Sequence, residues 1–121
     1  MTVSIDKVAD KIAALGVPGL VLVVAMALTG YAGAAALTTA LAVLGGPMGM
    51  LGGITLLGVL ALIAKALAEF GFEALFRAVL NRLRARGLSI TQIEEVVAGY
   101  WFVSSVLRDK LRSYLRLWGG V

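Results

Sequence analysis

The sequence contains one long stretch, from Ile12 to Ala64, without a single Asp, Glu, Lys or Arg. The chain has 121 residues, of which 60% are apolar and 15% charged, whereas soluble proteins carry about 25% charged residues. A small fold leaves a large share of its surface in contact with water, and this chain has few polar residues with which to cover such a stretch. The stretch therefore predicts an integral membrane protein.

A glycine-rich turn at residues 45–53 divides the uncharged stretch into two helices. Residues 20–44 exceed the roughly 20 residues needed to cross about 30 Å of hydrocarbon. Pro47 suits the first turn of the second helix, where its missing N–H costs nothing. The sequence thus predicts an all-α fold built on a transmembrane hairpin, residues 19–64, whose second span covers residues 48–64.

The flanking segments show helical patterns with one apolar side. Residues 1–18 contain apolar residues at helical spacing opposite charged ones, which predicts an amphipathic helix at the membrane interface. The second span continues as one helix over residues 48–86, with Gly87 as its terminator, so that part of it projects from the membrane. A capping box at Thr91–Glu94 predicts a helix to Ala98.

A final helix, capped by Ser104 or Ser105, is predicted to follow. Its apolar face carries Leu107, Leu111, Tyr114, Leu115 and Trp118. Residues 65–121 are therefore expected to form a helical extension and basic cytoplasmic helices.

The basic charge is concentrated in the last third of the chain. Residues 77–121 hold eight Lys or Arg residues against three acidic ones. Anionic lipid headgroups attract such a segment, and no nucleic-acid partner is expected beside a membrane hairpin. Because both flanks carry Lys or Arg and the turn carries neither, both termini are predicted to be cytoplasmic. The predicted headgroup contacts are Arg82, Arg84, Arg86, Trp101, Arg108, Arg112, Arg116 and Trp118.

The sequence contains few of the residue types that carry out catalysis. There is no Cys and no His, which removes thiol nucleophiles and the usual transition-metal ligands. The acidic residues are scattered along amphipathic helices. We therefore expect no enzyme, no metal site and no cofactor.

Small residues recur along both predicted spans at three- and four-residue intervals. Helices in lipid associate through close backbone contact, which small residues permit. Two explanations remain open: the small faces join the two helices of one hairpin, or they join separate chains in a homo-oligomer. The predicted helix-packing residues are Ala25, Thr29, Gly33, Ala36, Ala40, Gly49, Gly53 and Gly58.

Four charged residues, Lys65, Glu69, Glu73 and Arg77, follow one another at four-residue intervals. Intrahelical ion pairs are the simple explanation. The alternative hypothesis is that, in a ring of subunits, they place rings of charge at a pore mouth.

Residues 30–36 (GYAGAAA) and 45–53 (GGPMGMLGG) carry a resemblance to known proteins. They resemble small uncharacterised bacterial two-helix membrane hairpin proteins, and they are distantly similar to the interferon-alpha-inducible small hydrophobic proteins. The resemblance covers less than half of the chain. It implies oligomerisation in a membrane, with loss of membrane integrity, and no enzymatic site.

These observations favour an oligomeric pore-forming or membrane-perturbing protein, similar to a holin or a defence effector. One alternative is a membrane anchor whose basic cytoplasmic helices recruit a protein partner. Another is an accessory subunit of a transporter or enzyme, with the hairpin buried among larger helices.

Overall fold

The computed structural model describes residues 4–29, 49–100, 103 and 105–119, and within them it describes no side chains for residues 29 and 49–57. The described part of the chain is helical, which confirms the predicted all-α class there. Its helices are α1 (Ile5–Ala13), α2 (Val17–Thr29), α3 (Gly49–Phe70), α4 (Phe72–Ala85), α5 (Ile90–Ala98) and α6 (Ser105–Trp118). The predicted turn up to residue 48, and the second half of the first predicted span, lie outside the described residues.

Helix α1 forms where the amphipathic pattern predicts it. The Ser4 side chain accepts a hydrogen bond from the backbone N–H of Lys7, at 3.3 Å, and so caps the first turn. The helix stops before Gly16, whose φ of 78° is a left-handed conformation that glycine adopts without strain. The chain then bends by 117° into α2, with Pro18 in the first turn of the new helix.

Helix α2 lies at the centre of the described helices and contacts each of the others. Five consecutive residues, from Leu20 to Val24, have no exposed surface, and Ala25 and Met26 are almost fully buried. A helix that is apolar on all sides requires an apolar environment all round. In this fold the other helices supply that environment.

The predicted continuous helix over residues 48–86 is wrong, because the chain breaks between Phe70 and Phe72. Gly71 has a φ of 86°, outside the right-handed helical region. It separates the apolar helix α3 from the amphipathic helix α4. The predicted terminator at Gly87 is confirmed: it follows α4 with a φ of 97°.

The last two helices follow the predicted pattern with one shift. The capping box of α5 is formed by Ser89 and Gln92, two residues earlier than predicted. The Ser89 hydroxyl accepts from the Gln92 N–H at 3.1 Å, and the Gln92 side chain accepts from the Ser89 N–H at 2.8 Å. On α6, the predicted apolar face is confirmed, with Leu107, Leu111 and Leu115 buried.

Within the described residues, no single helix is both long enough and apolar enough to cross a membrane. The sharply bent pair formed by α1 and α2 meets the requirements of length and composition only when the two helices are taken together.

Candidate functional site

The central helix α2 and the helices that cover it form the candidate functional site. Four of those helices, α1, α4, α5 and α6, are amphipathic and turn their apolar sides inward. Their buried residues include Val8 and Ile12 of α1, Leu75, Phe76, Val79 and Leu83 of α4, Ile93 and Val97 of α5, and Leu107, Leu111 and Leu115 of α6. We call these four helices the amphipathic shell. Their charged residues lie on the outside, so the shell presents a polar surface and an apolar interior.

Arginines near the end of α4 hold this helix to α1. The Arg86 guanidinium donates to the carbonyl oxygen of Ala13 at 3.0 Å and lies 3.8 Å from Asp10. Arg82 lies 3.8 Å from Asp6 and 3.9 Å from Asp10. A cation is favourable at the carboxyl end of α1, where carbonyl groups lack helical partners. These side chains are 41–73% exposed, so solvent screens the ion pairs and each contributes little to stability.

An aromatic cluster joins α4 to α6 at the opposite end of α4. Phe72 and Phe76 of α4 contact Tyr114 and Trp118 of α6, with ring centroids 4.9–5.8 Å apart. Tyr114 and Trp118 are stacked, with centroids 5.1 Å apart and an angle of 6° between the rings. Arg84 donates to the carbonyl oxygen of Gly119 just beyond α6. The carboxyl end of α6 is therefore connected to both ends of α4.

Arg108 of α6 is directed towards the end of α5. It donates to the carbonyl oxygens of Tyr100 and Val103 at 3.3 and 3.4 Å. Its Nε is buried without a hydrogen-bond partner and lies beside a cavity of about 10 Å³, which is about the size of one water molecule. Burial raises the pKa of the Tyr100 phenol above its ordinary value.

Of the predicted headgroup contacts, most of the arginines have partners within the protein. Arg82, Arg84, Arg86 and Arg108 make the contacts above, and Arg112 lies 3.7 Å from Glu94. Trp118 is half-buried in the aromatic cluster. Arg116 is exposed and forms no ion pair with another described residue, and Trp101 lies outside the described residues. Contact of these residues with lipid stays a prediction.

The predicted helix-packing residues divide into four groups. Ala25 is buried in the centre of α2. Gly58 is exposed on α3, and a Cβ atom built there would meet nothing within 4 Å, so its role in helix packing stays a prediction. Thr29, Gly49 and Gly53 are helical without described side chains, and Gly33, Ala36 and Ala40 lie outside the described residues.

Sequence reasoning missed the closest approach of the first two helices, which occurs at Gly19. A Cβ atom at this position would collide with the carbonyl oxygen of Ile12 and lie 3.1 Å from its carbonyl carbon. Gly19 therefore lets the start of α2 lie against the backbone of α1. The signal that could have found it is the small side chain itself, since small residues permit close approach of two helices.

The four predicted pore-mouth charges do not lie on one helix. The break at Gly71 places Lys65 and Glu69 on α3, and Glu73 and Arg77 on α4. All four are exposed. Within α4, a guanidinium nitrogen of Arg77 lies 2.9 Å from a carboxylate oxygen of Glu73. The simple explanation, an intrahelical ion pair, therefore applies to these two residues. Their role at a pore mouth stays a prediction.

Compared with protein-family models, with curated proteins and with solved structures, the chain gives no match.

Proposed function

We propose that this chain is an oligomeric, non-enzymatic membrane-perturbing protein that forms a pore after α2 and the uncharged segment following it enter the bilayer. The observation that carries the proposal is the burial of α2, which is apolar on every side and is covered from Leu20 to Met26 by the other helices, four of them amphipathic. Lipid is as apolar as this covering. Replacing the covering helices by lipid leaves α2 in an apolar environment and uncovers the inner faces of the amphipathic shell.

The length of α2 determines what else must enter the bilayer. Its 13 residues span about 20 Å at 1.5 Å per residue, less than the roughly 30 Å of hydrocarbon. The sequence continues without charge through Leu44. A helix over residues 20–44 would be long enough, and no charged side chain would have to be desolvated.

The contacts that hold α1 over α2 are of a kind that can readily be replaced by contacts with lipid. Helix α1 is held to α4 by apolar packing, by one hydrogen bond to a carbonyl and by partly exposed ion pairs, and it is joined to α2 through Gly16. Surface ion pairs contribute about 0–1 kcal/mol each. Displacing α1 would therefore cost little apart from the exposure of its apolar face, which the headgroup boundary can accept.

Assembly into an oligomer is supported by α3. Gly58 lies at an open groove between α1 and α3, lined also by Lys11, Ile12, Val59 and Leu62, with a volume of about 340 Å³. The absence of a side chain at Gly58 permits close approach by a helix of a second chain.

Leakage of a self-quenching dye from liposomes containing phosphatidylserine tests the proposal. We expect release, together with an oligomer in mild detergent. A bilayer-soluble photoactivatable carbene reagent should label residues 20–44 more strongly than the shell residue Ile93. Intact liposomes and a monodisperse monomer would refute the proposal, and co-purification of a second polypeptide without leakage would favour the anchor function.

Planar bilayers test the pore-mouth hypothesis separately. If Lys65 and Glu69 line the entrance, the Lys65→Gln and Glu69→Gln variants should change ion selectivity in opposite directions. Unchanged conductance and selectivity in both variants would remove these residues from the pore while leaving the leakage result valid.

A further inference from the structure

The outer face of α6 carries two large aliphatic side chains that no other described helix covers. Val106 is 64% exposed and Leu117 is 68% exposed, the highest values among the exposed large hydrophobic side chains described. Eleven residues separate them, close to three helical turns, so they lie on the same side of the helix about 16 Å apart. Ser113 lies between them on that side. We call Val106, Lys110, Ser113, Arg116 and Leu117 the outer face of α6.

Positive charge borders both sides of this outer face. At 100° per residue, Lys110 lies on one side of the line from Val106 to Leu117, and Arg116 lies on the other. Neither cation forms an ion pair with another described residue. Asp109, the only acidic residue in α6, lies on the same side as Arg116 and is exposed. The inner face of α6 packs against the other helices, where Leu107, Leu111 and Leu115 are buried.

We infer that the outer face of α6 docks on an anionic lipid surface, with Val106 and Leu117 entering the headgroup boundary and Lys110 and Arg116 contacting the headgroups. Aliphatic side chains bordered by cations are typical of a helix that lies in the interface plane, and each cation near an anionic surface strengthens binding. A standard protein interface buries roughly 20–30 residues on each side, many more than this face offers. A lipid surface requires only the few side chains that reach it.

This inference rests on the proposed function, to which it adds the surface that first meets the membrane. It also revises the residues expected at the lipid. The sequence predicted Arg108, Arg112 and Trp118, but these three contact other parts of the chain. The structure assigns Val106, Lys110 and Leu117 to the lipid, none of which was among the predicted contacts, and retains Arg116.

The chain contains no cysteine, so single cysteines can report on this face. A polarity-sensitive fluorophore is attached to Val106→Cys, to Leu117→Cys and, as a matched control, to Val96→Cys on α5, where valine is 38% exposed. Vesicles of phosphatidylcholine with phosphatidylserine should shift the emission at positions 106 and 117 to shorter wavelength, and a lipid-borne quencher should reduce it. The label at position 96 should respond much less. Equal responses at all three positions would overturn the inference.

The charge requirement is tested by titrating the same vesicles into labelled protein. Lys110→Gln should weaken the apparent affinity about fivefold, since one Lys near an anionic surface contributes about that factor. Asp109→Asn should strengthen it, whereas the matched change Glu95→Gln on α5 should leave it unchanged. Equal binding to vesicles of pure phosphatidylcholine would contradict the inference.

Dye leakage measured in the same samples separates this inference from the proposed function. A response at positions 106 and 117 without leakage would leave the docking surface valid and refute the pore. Leakage without a response at either position would refute the docking surface and leave the pore valid. Loss of a dimer in Leu117→Ser, with vesicle binding unchanged, would assign the face to a second copy of this chain and so overturn the inference.

Discussion

Gly19 and Gly58 both lie within helices, yet replacing each by alanine should change the free energy of unfolding in opposite directions. Alanine favours a helix over glycine by about 1 kcal/mol. At Gly58 nothing within the described chain lies within 4 Å of the added methyl group, so Gly58→Ala should stabilise the monomeric form of the protein by roughly this amount.

At Gly19 the same gain is opposed by a collision with the backbone of α1. The methyl group would meet the carbonyl oxygen of Ile12, and a backbone group cannot rotate away as a side chain can. Forcing extra volume into a packed contact costs about 1–3 kcal/mol and occasionally more. Because the collision is with backbone, we take the upper part of this range, about 2–3 kcal/mol. We therefore expect Gly19→Ala to destabilise by about 1–2 kcal/mol after the helical gain of about 1 kcal/mol, a difference of about 2–3 kcal/mol between the two variants.

Thermal unfolding followed by circular dichroism, in one buffer and detergent for all proteins, measures this difference. For a chain of this size, about 1 kcal/mol corresponds to roughly 4 °C in Tm, so the two variants should differ by about 10 °C. Gly19→Ser gives a second clash of the same kind and should resemble Gly19→Ala. If Gly19→Ala were as stable as Gly58→Ala, α1 and α2 would not be in the close contact described, and the enclosed position of α2 would be refuted.

Three further changes test other parts of the fold. Arg86→Met should destabilise by about 1 kcal/mol, because it removes a charged hydrogen bond to Ala13 in a partly exposed place; denaturant unfolding measures this, and an unchanged midpoint would contradict the contact. Gly71→Ala should destabilise by about 1–2 kcal/mol through its left-handed φ alone, and a more stable variant would mean that α3 and α4 form one helix. Burial raises the pKa of Tyr100, so the folded state favours the neutral phenol; stability should be fully present below the ordinary tyrosine pKa and fall as the pH rises above it. Tyr100→Phe should lose less stability at alkaline pH than the unchanged protein, and identical pH profiles would contradict the burial.

Sequence patterns were most reliable where structure depends on residues close together in the chain. The inward face of α6 follows from leucines at positions 107, 111 and 115, and the end of α4 follows from Gly87. The same reasoning failed at Gly71. A single glycine within an apolar pattern is tolerated in a helix at modest cost, so spacing alone does not distinguish a continuous helix from a break.

The candidate site was predictable in part. The apolar character of α2 and the basic charge of α6 are properties of composition, and the sequence predicted both. The partners of Arg86 and Arg108 were not predictable, because a cation at helical spacing is equally compatible with lipid headgroups and with the carbonyl end of another helix. Val106 and Leu117 were missed for the same reason: exposure depends on which side of α6 the other helices occupy.

By itself, the sequence determined that α2 needs an apolar environment on every side, since its residues carry no charge and no polar face. Only the tertiary structure decided what supplies that environment in the described state, namely the other helices packed around it. The physical reason is that helix formation and amphipathicity arise from neighbours three or four residues apart. The enclosure of α2 depends on contacts between distant parts of the chain, such as Gly19 against Ile12 and Arg86 against Ala13, which periodicity does not encode.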